Sequence, residues 1–166
     1  MKAMLIAALA ALIVSVSGAA IAQQTPIKKE QLVGSWALVS LDLTVEGKKS
    51  QPFGSPPKGY MNLDRNGTYS ILLFRPGTPG FAAKNRMKGT EAEYRAVGQS
   101  SQAYYGTYKV NEKDGVMDLR VEHSTYPNHD GSEQKRFLRL VGDELRVSNP
   151  ATPTGGTAEV VWKRTK

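Results

Sequence analysis

The chain has 166 residues, room for one domain, and its 40% hydrophobic and 22% charged composition is that of a globular protein, not a disordered one. It has no cysteine and only two histidines, His123 and His129, which excludes disulfides, thiolate metal sites, a cysteine nucleophile and a three-histidine zinc centre. The formal charge of +7 is scattered in pairs such as Lys28-Lys29, Lys48-Lys49 and Lys135-Arg136, with no basic run interleaved with aromatics. No nucleic-acid partner is therefore expected, and the positive surface is read as solvated or as steering an anionic ligand.

Residues 1–22 carry a basic start at Lys2, an apolar stretch from Met4 to Val16 and a small-x-small site at Ala20-Ile21-Ala22. This predicts a leader cleaved after Ala22, leaving 23–166 as the mature domain, periplasmic or secreted, with no stable membrane insertion. The alternative is an uncleaved N-terminal anchor. Thr25-Pro26 predicts a capped helical turn over Ile27–Leu32, ended by Gly34.

From Val33 the apolar period changes to two. Strands are predicted at 33–45, 58–64, 67–75, 103–111, 116–125, 133–141, 144–148 and 157–164. Asn66-Gly67, Asp114-Gly115 and Gly142-Asp143 mark tight hairpins between them. Thr90–Gln102 predicts a helix, with Thr90 as cap, Glu91 and Glu93 in the first turn and Arg95 four residues after Glu91. Eight strands joined mostly by hairpins predict an all-β, eight-stranded antiparallel up-and-down barrel, with a short N-terminal helical turn and a helix-containing insertion near 90–102.

The tract LVGSWALVS, with Gly34 and Trp36 opening the first strand, resembles the Gly-x-Trp start of lipocalins. More specifically, the chain resembles the bacterial lipocalin-like domain family through PFGSPPKGYM (52–61), FRPGTPGFA (74–82), GTEAEYRA (89–96), YYGTYKV (104–110), VEHSTYPNHDG (121–131), QKRFLRLVGDELRVS (134–148) and VVWKR (160–164). The resemblance implies a calycin-type barrel and says little about activity. Two positions depart from the family pattern. Asp118-Leu119-Arg120 stands where the family usually carries histidine, with the histidine displaced to His123, and His129 stands where an aromatic often follows Pro-Asn.

Gly34, Trp36 and Arg164 are expected to be structural, with a basic side chain from the last strand covering the Trp36 ring. Arg75 ends an apolar strand and is read as a fork for a carboxylate or phosphate at the barrel mouth; the alternative is a rim arginine in solvent. Tyr104 and Tyr108 share strand parity with Gly106 and are expected to line the interior together with Tyr60. His123, Pro127, Asn128, His129 and Arg136 are expected at one rim, where His123, Asn128 and Arg136 orient a polar head or serve acid–base chemistry, or else close hydrogen bonds within a loop. No metal-ligand spacing, phosphate loop or dinucleotide fingerprint is present, so no metal and no cofactor is expected.

Strand parity puts the loops after the first, third, fifth and seventh predicted strands at one end, and these are the long Pro/Gly-rich ones. The excursion at 76–102 is far longer than a hairpin loop. A cavity is therefore expected to open there, lined by Arg75, Tyr60, Tyr104, Tyr108 and Arg136. Three functions suit such a barrel: a monomeric binding module for a small apolar or amphipathic ligand, neutral or anionic; an enzyme using the same cavity for a cyclisation, isomerisation or hydrolysis; or an envelope module that binds another protein through its rim.

Overall fold

The computed structural model of the chain describes residues 26–166. The predicted leader and the Thr25 cap lie outside the described residues. In chain order the elements are α1 (Lys29–Leu32), β1 (Gly34–Val45), β2 (Lys48–Ser50), β3 (Lys58–Leu63), β4 (Thr68–Phe74), α2 (Glu91–Ser100), β5 (Ser101–Asn111), β6 (Val116–Ser124), a 3-10 turn (Pro127–His129), β7 (Glu133–Val141), β8 (Glu144–Asn149) and β9 (Thr157–Arg164).

Eight of these strands pair antiparallel in the order β1-β3-β4-β5-β6-β7-β8-β9, and β9 returns to β1 from Trp36↔Arg164 to Thr44↔Thr157. The sheet thus closes into an up-and-down barrel, which leaves its eight strands without a free edge. The ninth strand, β2, was not expected from the sequence. Glu46 and Gly47 both take positive φ, 48° and 76°, and fold Lys48–Ser50 back onto Leu43–Val45, beyond the point where β3 leaves β1. Positive φ at both central residues makes the tight hairpin turn, but the fully exposed Lys-Lys-Ser has no apolar alternation to announce a strand.

The first helix is also shorter than predicted. It begins at Lys29, with Lys28 as its cap residue. Helix α2 carries the expected box, in which Thr90 Oγ1 accepts from Glu93 N and Glu93 accepts from Thr90 N. No helix among the described residues is long and apolar enough to cross a membrane.

Two bulges decide which way side chains face. In β1 the register with β9 slips between Leu38 and Ser40, so Trp36 and Leu38 are buried in one phase and Leu41 in the other. One extra residue reverses the parity of everything after it. In β6 the register with β5 slips at Glu122, pairing Tyr105 with His123 and Gly106 with Val121. Gly106 is required there: a Cβ on it would lie 2.0 Å from Arg120 O.

One end of the barrel is sealed. Trp36 is fully buried and donates Nε1–H to Leu32 O at 2.9 Å, tying α1 across the opening. The Arg164 guanidinium lies over the Trp36 ring at 4.1 Å and donates to Val33 O and Gln31 O. Gly34 has φ +126°, and a Cβ there would press within 3.0 Å of Arg164 Nη1. Its glycine is thus needed both for backbone and for space.

Candidate functional site

The barrel holds an open-mouthed cavity of about 530 Å³, within the range of small-molecule pockets. Its walls are apolar, built from residues such as Leu41, Leu43, Ile71, Leu73, Met117 and Trp162. Its mouth is formed by all four long loops: Pro52 and Phe53 after β2, Gly98 and Gln99 of α2, Tyr126 and His129 after β6, and Thr152 to Thr154 after β8. The interior therefore opens at the end opposite Trp36, beneath the 75–100 excursion.

Polar groups gather on one side of this space. Arg136 is the only cation among the described residues that is buried, at 7% exposure. Register puts it there: Arg136 pairs with Met117, whose side chain faces inward. Its Nη1 donates to Lys135 O at 2.9 Å and to Asn149 Oδ1 at 3.2 Å, and its Nη2 donates to Gln134 Oε1. Among the described residues no carboxylate pairs with it. The arginines that do have carboxylate partners, Arg95, Arg120 and Arg146, have exposed side chains.

Tyr104 and His129 share the cavity with Arg136, and Tyr69 stands behind them. Tyr69 meets Tyr104 edge-to-face at 6.0 Å, and His129 meets Tyr104 at 6.3 Å and Tyr126 at 5.0 Å. The Tyr69 hydroxyl and His129 Nδ1 are both buried without a hydrogen-bond partner, a condition that few buried polar atoms tolerate. Burial, then the neighbouring Tyr104, pushes the Tyr69 hydroxyl far above the ordinary tyrosine range, so it remains a protonated donor. Burial, then the charge of Arg136, pushes His129 below the ordinary imidazole range, so it is neutral at neutral pH.

Of the residues singled out in the sequence, the structure brings Tyr104 and Arg136 to the cavity and sends the others elsewhere. Arg75 sits exposed on the rim, donating Nε–H to Pro52 O at 2.7 Å, and does not line the cavity. The chain turns outward directly after β4, and the 51–54 loop captures the guanidinium. Tyr60 is 42% exposed because Met61 and Leu63 take the inward positions of β3; its hydroxyl donates to Ser35 Oγ. Tyr108 faces inward but belongs to the sealed end, donating to Asp64 O at 2.8 Å beneath Lys29 Nζ. His123 shares sequence parity with Val121, yet the bulge at Glu122 turns it outward against Tyr105, where Asp130 holds its Nδ1 at 2.9 Å. Asn128 is exposed on the 3-10 turn.

Sequence reasoning missed Tyr69, and it placed His129 in the rim loop without giving it a role in the site. Tyr69 was legible from the alternation Tyr69, Ile71, Leu73, all buried. His129 was legible as the residue standing at an aromatic position, and it does pack edge-on between two tyrosines. Among the described residues no cluster of three His, Asp or Glu side chains is placed to hold a metal ion.

A closed antiparallel barrel with one sealed end, a Gly-x-Trp floor and an apolar interior defines the lipocalin-like class. The family profile described as "lipocalin-like domain" matches residues 33–165, and the chain belongs to that family. Among known proteins it is similar to the 4'-hydroxy-3'-methoxypropiophenone carrier protein ppsC of Aspergillus oryzae, with 31% identity over 85 residues, 48% of this chain and 77% of that relative. The family and the carrier relative together point to ligand binding.

Proposed function

We propose that the protein is a carrier that holds one small apolar or amphipathic molecule inside the barrel. The observation that carries this reading is the open-mouthed cavity of about 530 Å³, apolar on its walls and polar on one side, opening between four loops. Such a pocket takes the body of a ligand by burial and orients it with a few polar groups. The similarity to a protein named as a carrier of an aryl ketone supports an aromatic cargo of comparable size, and Phe53, Tyr104, Tyr126 and Trp162 offer ring edges and faces for it. In the same proposal the leader is removed after Ala22 and the mature chain acts outside the cytoplasm as a monomer.

Native mass spectrometry of the protein purified from its own host tests the carrier reading, with a retained small molecule expected. Quenching of Trp162 fluorescence by aryl ketones, compared with a Trp162→Phe control, provides a second readout. A protein that emerges without ligand and whose tryptophan emission responds to no aryl ketone or apolar dye would sink the reading. Intact mass of the exported protein checks the location: a chain starting at Gln23 is expected, and a membrane-bound chain retaining residues 1–22 would refute it.

A further inference from the structure

Arg136 is a buried cation that the protein leaves without a countercharge. Three of the five guanidinium N–H groups are used, all on neutral acceptors: Lys135 O, Asn149 Oδ1 and Gln134 Oε1. Nε–H and one N–H of Nη2 have no partner, and among the described residues no carboxylate lies within ion-pair distance. A charge taken out of water is costly unless paired. Every acceptor it does have is neutral, so the fold holds the guanidinium in place without a countercharge.

Two further unsatisfied groups lie around Tyr104. The Tyr69 hydroxyl and His129 Nδ1 are each buried with no partner, and both rings contact Tyr104, which lines the cavity with His129 and Arg136. The charge of Arg136 acts on both Tyr69 and His129. An unpaired buried polar atom lacks a partner that a water, an ion or a ligand supplies. The other mouth residues are apolar, amide or hydroxyl groups.

We propose that Arg136, with His129 beside it, forms the subsite for the carboxylate of an aromatic or similarly apolar acid, whose body lies along the apolar walls. The inference rests on the carrier reading and deepens it by naming the head group. One guanidinium balances one negative charge, which selects a monoanion over a phosphate. Two free donors on adjacent nitrogens match two carboxylate oxygens. A carboxylate is ionised at neutral pH, whereas an ordinary phenol is not.

The test uses the full mature chain and N-phenyl-1-naphthylamine, a neutral dye that brightens in apolar cavities. The dye is displaced in parallel by 1-naphthoic acid and by its methyl ester, which have the same ring and differ in charge. In Arg136→Met the preference of the cavity for acid over ester is expected to fall by at least about tenfold relative to wild type. Arg136→Lys keeps the charge without the planar fork and is expected to lose severalfold; it decides the matter if Arg136→Met does not fold. Arg139→Gln, an exposed arginine of the same strand, controls for net charge and is expected to keep the wild-type preference. If wild type binds neither dye nor ester, the carrier reading fails and the subsite with it. If dye and ester bind but the preference does not move when Arg136 is changed, the carrier stands and the carboxylate subsite is overturned.

Discussion

The two ends of the barrel treat their polar groups in opposite ways. At the sealed end three polar side chains brought inside find protein partners: Trp36 Nε1 finds Leu32 O, the Tyr108 hydroxyl finds Asp64 O, and Arg164 finds Val33 O, Gln31 O and an aromatic face. On the cavity side Arg136 lacks a countercharge, and Tyr69 and His129 each carry a buried polar atom with no partner. The same closed sheet supports both. The satisfied end supplies stability, and it lets the other end keep groups that only a guest completes.

Breaking the sealed end should cost most. Trp36→Ala is expected to destabilise by about 3–5 kcal/mol, the usual range for deleting a buried aromatic, measured by denaturant unfolding. A loss below about 1 kcal/mol would remove the distinction between the two ends. Arg164→Met leaves two carbonyls and the Trp36 face uncovered, and about 1.5–3 kcal/mol is expected, the range for hydrogen bonds to a charged group.

The cavity side should respond with the opposite sign. Tyr69→Phe removes a buried hydroxyl that no protein atom satisfies, so the ligand-free protein is expected to gain about 1 kcal/mol in the same unfolding assay. A destabilised Tyr69→Phe would show that the hydroxyl is already satisfied in the free protein.

His129 sharpens the contrast through pH. Its folded pKa lies below the ordinary value of 6.5, so as pH falls the unfolded chain takes up the proton first. Its contribution is complete above about pH 6.5 and is lost as pH drops toward the folded value. Melting temperatures of the ligand-free protein should therefore fall more steeply with acidification in wild type than in His129→Phe. Parallel curves would mean that burial does not hold His129 neutral. The smallest effect is expected at the rim, where Arg75→Ala should change unfolding free energy by under about 0.5 kcal/mol, as for an exposed substitution. A larger loss would make the 51–54 loop part of the stabilising structure.

Much of the frame was written in local signals. Period-two alternation between turn residues marks eight strands, Asn66-Gly67 and Gly142-Asp143 mark hairpins, and the four long loops fall at one end by parity alone. The Gly34-x-Trp36 start and Arg164 announce the floor because a large ring next to a strand opening needs both a close backbone and a cover. These features depend on residues near one another in sequence or on simple alternation, and alternation survives as long as the ladder is regular.

What the sequence by itself determined, then, was the barrel, its sealed floor and the end that opens. The tertiary structure decided which side chains enter the cavity. The bulge at Glu122 turns His123 out, and the slip between Leu38 and Ser40 carries Leu41 in; both arise from pairing with a neighbouring strand far away in the chain. Arg136 is buried because its register sets it beside Met117, and Arg75 stays outside because the 51–54 loop catches it first. A one-residue shift of register reverses the face of every residue beyond it. Facing is therefore a property of paired strands, which no single strand's sequence contains.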